Sequence, residues 1–146
     1  MSSDLVITRL FDAPRALVYQ AFTDEDQLAA WFGPVGFSVP RDTVSIDARV
    51  GGHQRFTMVS DDDASFTSAV DATFVELVEN ELIVGEETVA FPGTEPVTLR
   101  LRVEFADEGD KTRITVTQGP YTPEIMGGAK EGWESSFTKL DALLAA

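Results

Sequence analysis

The sequence predicts one α+β domain: a strand, two short helices, about six antiparallel strands and a long C-terminal helix. Three observations predict it. Between residues 37 and 119 apolar side chains recur mostly at every second position, while helical spacing governs the segments on either side. Near the C-terminus Trp133, Phe137, Leu140 and Leu144 fall at i, i+4, i+7 and i+11, a single helical face that Met126 and Ala129 extend backwards. Finally, 146 residues at 43% hydrophobic content, with ten Phe and two Trp, suffice for a core without disulfides, and there is no Cys.

The elements follow in order. Residues 5–11 read as the first strand. Asp12 and Pro14 signal a helix start, Asp as cap and Pro in the first turn. Leu17, Val18, Ala21 and Phe22 then recur at helical spacing. Thr23 with Asp26 resembles a capping box and predicts a second helix over 24–30. Trp31-Phe32-Gly33-Pro34 ends that helix. Val44, Ile46 and Ala48 alternate with Thr43, Ser45 and Asp47, and Gly51-Gly52 marks a turn. Gln54, Phe56 and Met58 alternate next, closed by Asp61-Asp62-Asp63. A long strand spans 66–78, with a tight turn at Glu79-Asn80. Another spans 82–90, followed by a Phe91-Pro92-Gly93 loop. Val97, Leu99, Leu101, Val103 and Phe105 form the cleanest alternation, and Glu108-Gly109-Asp110 closes a hairpin into 112–118.

A geometric conflict follows. One helix is about 10 Å wide, whereas strands lie about 4.8 Å apart. A single helix therefore cannot cover six or seven strands. The sheet must curl around it, and such a curl leaves a hollow between the two.

Composition removes several functions. Eleven Lys and Arg against 25 Asp and Glu give a net charge of −14. Nucleic-acid binding needs clustered basic residues, and anionic membranes repel such a surface. No basic start followed by an apolar run marks a signal peptide, and no stretch reaches membrane-span length; the expected location is the cytoplasm. Without Cys, and with His53 as the only His, no catalytic triad or transition-metal site is expected, and His53 is read as a surface or rim residue. No EF-hand or phosphate-binding loop is present. No cofactor and no metal are expected.

The run Arg9-Leu-Phe-Asp-Ala-Pro-Arg-Ala-Leu-Val18, then Ala21-Phe-Thr-Asp24, then Trp31-Phe-Gly-Pro-Val-Gly36, resembles the opening of START-like (SRPBCC, birch-pollen-allergen-like) domains. The nearest branch is the one named after the activator of the heat-shock-protein-90 ATPase. Gly51-Gly52 before an aromatic strand, Thr112 to Gln118, and Gly132-Trp133 with Leu140 and Leu143-Leu144 resemble its later segments. The likeness spans about residues 5–144 and treats residues 1–146 as one START-like domain. It implies a helix-grip fold, a curved sheet wrapped around the C-terminal helix with a pocket between them. It also implies a choice of roles, since the superfamily includes lipid binders, receptors, polyketide cyclases and co-chaperone modules.

The favoured function is binding of a small apolar or aromatic molecule in that hollow, without catalysis. The expected ligand-binding residues are Trp31, Phe32, Phe56, Met58, Phe74, Glu76, Leu101, Met126, Lys130, Trp133 and Phe137. Gln54, Arg55, Glu76, Gln118 and Lys130 are the candidate polar anchors. Glu76 shares parity with Phe74 and Val78 and is the inward candidate of the two carboxylates, or else it pairs with Arg55 or another Arg at the sheet surface. Glu104 lies opposite the apolar row and faces solvent. Gly127, Gly128 and Gly132 weaken the start of the last helix, where a ligand would enter. The alternatives are a co-chaperone module stimulating a heat-shock chaperone ATPase and a polyketide cyclase or hydratase. A homodimer through strand edges or the Trp31 loop stays open.

Overall fold

The computed structural model describes residues 2–90 and 95–145. Six long strands and two two-residue strands form one antiparallel sheet. They are β1 (Ser3–Phe11), β2 (Phe37–Ser38), β3 (Ser45–Ile46), β4 (His53–Ser60), β5 (Thr67–Val78), β6 (Leu82–Ala90), β7 (Val97–Glu108) and β8 (Lys111–Tyr121). Helices α1 (Arg15–Thr23) and α2 (Glu25–Trp31) follow β1, and α3 (Pro123–Ala145) ends the chain. The strands lie in the order β1-β8-β7-β6-β5-β4-β2, with β3 also on β4. Strands β4 to β8 form a meander, and the first strand closes onto the last. The curled sheet grips α3, which is the helix-grip arrangement. The Phe91-Pro92-Gly93 loop lies outside the described residues.

Strand alternation sets which side chains reach the concave face. In β7, Leu99, Leu101, Val103 and Phe105 are buried while Arg100, Arg102 and Glu104 are exposed. Glu104 pairs with Arg102 on that outer face. In β5 the pattern breaks: Phe74 pairs with Gly85 but Glu76 pairs with Val84, so Val75 is an extra residue. This bulge reverses the parity beyond it.

Local capping differs from the sequence reading in two places. Pro14, not Asp12, is the N-cap of α1, so Pro precedes the helix. Asp24, not Thr23, caps α2, its carboxylate accepting from Asp26 N at 2.8 Å. The Thr23 hydroxyl donates back to Tyr19 O instead. Leu17 is exposed, while Val18, Ala21 and Phe22 form the buried face of α1.

The strand expected over 43–48 shrinks to β3. A 3-10 turn at Arg41–Thr43 replaces its start. The acidic first turn of α2 holds this segment: Arg41 pairs with Glu25 and Asp26, and Ile46 N donates to Glu25 at 2.8 Å. The turn after it depends on Gly52, where an added Cβ would lie 2.1 Å from the Asp47 carbonyl oxygen. Backbone cannot yield as a side-chain tip can, so Gly52→Ala is expected to cost about 2 kcal/mol. A lowered urea midpoint with an unchanged slope checks this.

Candidate functional site

α3 covers the concave face unevenly, and this makes the site. Its C-terminal half is packed tightly. Phe137 and Leu140 are fully buried, and the Phe137 ring meets Phe11 of β1 edge-on at 5.3 Å. Arg9 lies over both rings and pairs with Asp141. The N-terminal half instead overhangs the sheet. Below it lies a hollow of about 390 Å³.

The walls follow from register. β4 contributes Phe56 and Met58, β5 Val70, β6 Glu87 and Val89, β7 Leu99, and β8 Gln118 and Tyr121. α3 supplies the roof with Ile125, Gly128, Ala129, Gly132 and Trp133, and Glu124 stands at the helix start. Phe32, Gly33 and Pro34 form the remaining side. Their loop is stitched to α3: Val35 N donates to Ser135 Oγ at 2.8 Å, and Lys139 Nζ donates to Phe37 O at 3.1 Å. Partial burial holds the Lys139 ammonium below its ordinary pKa.

One polar cluster interrupts the apolar wall. Trp133 Nε1 donates to Gln118 Oε1 at 2.7 Å, and Tyr121 OH donates to the same oxygen at 2.6 Å. Gln118 Nε2 in turn donates to Glu87 Oε1 at 2.6 Å. The indole N–H can only donate, so it fixes which end of the Gln118 amide carries the oxygen. Burial pushes the Glu87 carboxyl up to about 7, although the Gln118 hydrogen bond pulls the other way. Burial and the nearby Glu87 charge raise the Tyr121 phenol as well.

Of the expected site residues, Phe32, Phe56, Met58 and Trp133 line the hollow, as does the candidate anchor Gln118. Trp31, Phe74, Leu101 and Phe137 lie in the core instead, away from the wall. Trp31 is fully buried against Phe22, Phe32 and Phe137, with its indole N–H on Ala21 O at 2.8 Å. Met126 packs on the core margin, and Lys130 is exposed on the outer side of α3. Glu76 is exposed because the Val75 bulge turns it outward. Nor does it pair with Arg55, which binds Asp71. Gln54 donates to Phe22 O at 3.0 Å, tying β4 to α1. His53 is half-buried at the start of β4, its Nε2 2.7 Å from Ser45 Oγ.

Sequence reasoning missed Glu87 and Tyr121. The signal existed for Glu87: Ile83, Gly85, Glu87 and Val89 share one parity in β6, and the other members are buried. A carboxylate within a buried row is the anomaly to look for.

The family model for Activator of Hsp90 ATPase homolog 1-like protein matches residues 12–145. The chain belongs to this family. Among solved structures similar to this Hsp90-activator-like chain, protein CV1439 of Chromobacterium violaceum is 26% identical over 99% of both chains, with a TM-score of 0.83. The AHSA1 protein of Silicibacter pomeroyi is 22% identical over 98% of both, with a TM-score of 0.85. A Rhizobium loti protein, Mll3558, is 25% identical over 97% of this chain and 96% of its own, with a TM-score of 0.78. No curated protein matches. Among the described residues of this family member, no helix is long and apolar enough to cross a membrane.

Proposed function

We propose that this chain binds a small, largely apolar molecule in the hollow beneath the N-terminal half of α3. The observation that carries the reading is the wall itself: about 390 Å³ lined by aromatic and aliphatic side chains around one polar cluster. That volume falls within the range of small-molecule sites, and a few convergent polar groups in an apolar wall are their usual chemistry.

Thermal shift against a panel of lipids, sterols and aromatics tests it. A ligand at hundredfold its Kd adds about 2.7 kcal/mol, a rise of roughly 5–10 °C for a chain of this size. Gly128→Leu supplies the control. Gly128 lines the hollow, and a Cβ there meets nothing within 4 Å, so the fold accommodates a larger side chain at the roof. The shift should vanish in that variant. No shift with any member of the panel would remove the reading.

The family description supports a second role, stimulation of an Hsp90-type ATPase. An unchanged ATPase rate in the presence of the protein eliminates it.

A further inference from the structure

Building on the binding reading, we infer that the hollow selects an apolar molecule carrying a hydrogen-bond donor, an amine above all and an alcohol or phenol next, and rejects carboxylates and other anions. The inference comes from following each hydrogen in the polar cluster. The Trp133 N–H and the Tyr121 O–H both point to Gln118 Oε1. The Ser136 O–H points to Gly132 O at 2.8 Å. One Gln118 amide hydrogen points to Glu87 Oε1. Among the described residues, the side-chain donors facing the hollow are thus engaged within the protein, except for the second Gln118 amide hydrogen. What remains is mainly acceptor capacity: Glu87 Oε2, which bonds to no described residue, and the oxygen lone pairs of Tyr121 and Ser136.

Charge points the same way. Glu87 and Glu124 both line the hollow, and among the described residues no Lys, Arg or His does. Lys139, the nearby base, is held on the carbonyls of Phe32 and Phe37. A carboxylate brought beside Glu87 would lose its hydration and meet a like charge. An ammonium group would give Glu87 the charged partner that it lacks, and a charge-assisted hydrogen bond with it.

Three probes with one ring system test this by calorimetry at pH 8 and physiological salt: 2-naphthylmethylamine, 2-naphthylmethanol and 2-naphthoate. The expected order of affinity is amine, alcohol, carboxylate, with the amine at least about tenfold tighter than the carboxylate. Glu87→Gln keeps an oxygen for Gln118 and turns Oε2 into a donor, so the amine preference should collapse. The net charge of −14 changes by only one in that variant. Discrimination that survives Glu87→Gln would therefore belong to the overall field and overturn the inference. Equal or tighter binding of naphthoate to the unaltered protein overturns it too. Measurement at pH 5.5 repeats the test without a variant, because Glu87 is then protonated and the amine preference should shrink; an unchanged preference counts against the inference. Among the described residues, the other titratable groups facing the hollow are Tyr121 from β8 and Glu124 from α3, while β4, β5 and β7 present Phe56, Met58, Val70 and Leu99. Failure of all three probes to bind would remove the binding reading itself, whereas binding in the wrong order removes only the donor preference.

Discussion

Trp31→Ala is expected to lower the stability of the fold by about 3–5 kcal/mol, the usual cost of deleting a large buried aromatic. The indole is fully buried and meets three rings: Phe22 at 5.0 Å, Phe32 at 5.1 Å and Phe137 at 6.4 Å. Its N–H also satisfies the Ala21 carbonyl at the end of α1. These contacts join α1, α2 and α3, so the loss spreads over the whole helical layer. Urea unfolding reads the effect, and a change below about 1 kcal/mol would contradict the packing described. Since Trp31 does not line the hollow, a folded Trp31→Phe variant should keep its ligand affinity within about twofold. A large loss of affinity there, with the fold intact, would return Trp31 to the site.

Trp31 also marks where sequence reasoning reaches its limit. Period-two and helical spacing placed the long elements, because burying one face of each forces that pattern on the chain. The mismatch between one helix and a wide sheet anticipated the curl for the same reason. Alternation, however, assigns a side chain to a face and says nothing about where along that face the helix rests. Phe56 and Phe74 share the concave face, yet only Phe56 lines the hollow, while Phe74 lies in the core. Where α3 rests depends on Phe137 seating on Phe11 and Trp31, a contact between distant segments that alternation does not encode. Glu76 failed for a different reason. A single-residue bulge at Val75 leaves no pattern in the sequence, yet it inverts every parity assignment after it. Glu87, by contrast, was legible in its row and was passed over because the carboxylates weighed were Glu76 and Glu104.

Glu87→Gln should change the pH dependence of stability more than any other single substitution in the hollow. Burial raises the Glu87 carboxyl from 4.5 to about 7. A carboxyl with a raised folded pKa costs nothing below the unfolded value, where both states hold the proton. Between pH 4.5 and 7 the unfolded chain releases its proton first, so stability falls, and above 7 the deficit is constant. At 1.36 kcal/mol per pKa unit the deficit amounts to about 3 kcal/mol. Gln carries no proton to lose and keeps an acceptor for Gln118, so the variant escapes the fall. Its stability relative to the parent should therefore rise by about 3 kcal/mol between pH 4.5 and 8, read as urea midpoints across that range. Parallel curves would mean that Glu87 is solvated or paired in solution. The carboxylate weakens the fold at neutral pH, in a position where Gln would keep the acceptor for Gln118 without the charge, so stability does not account for it. Its place on the wall of a hollow rich in acceptors supplies a functional reason, since a cationic or donor ligand would recover at binding what burial costs in the empty protein.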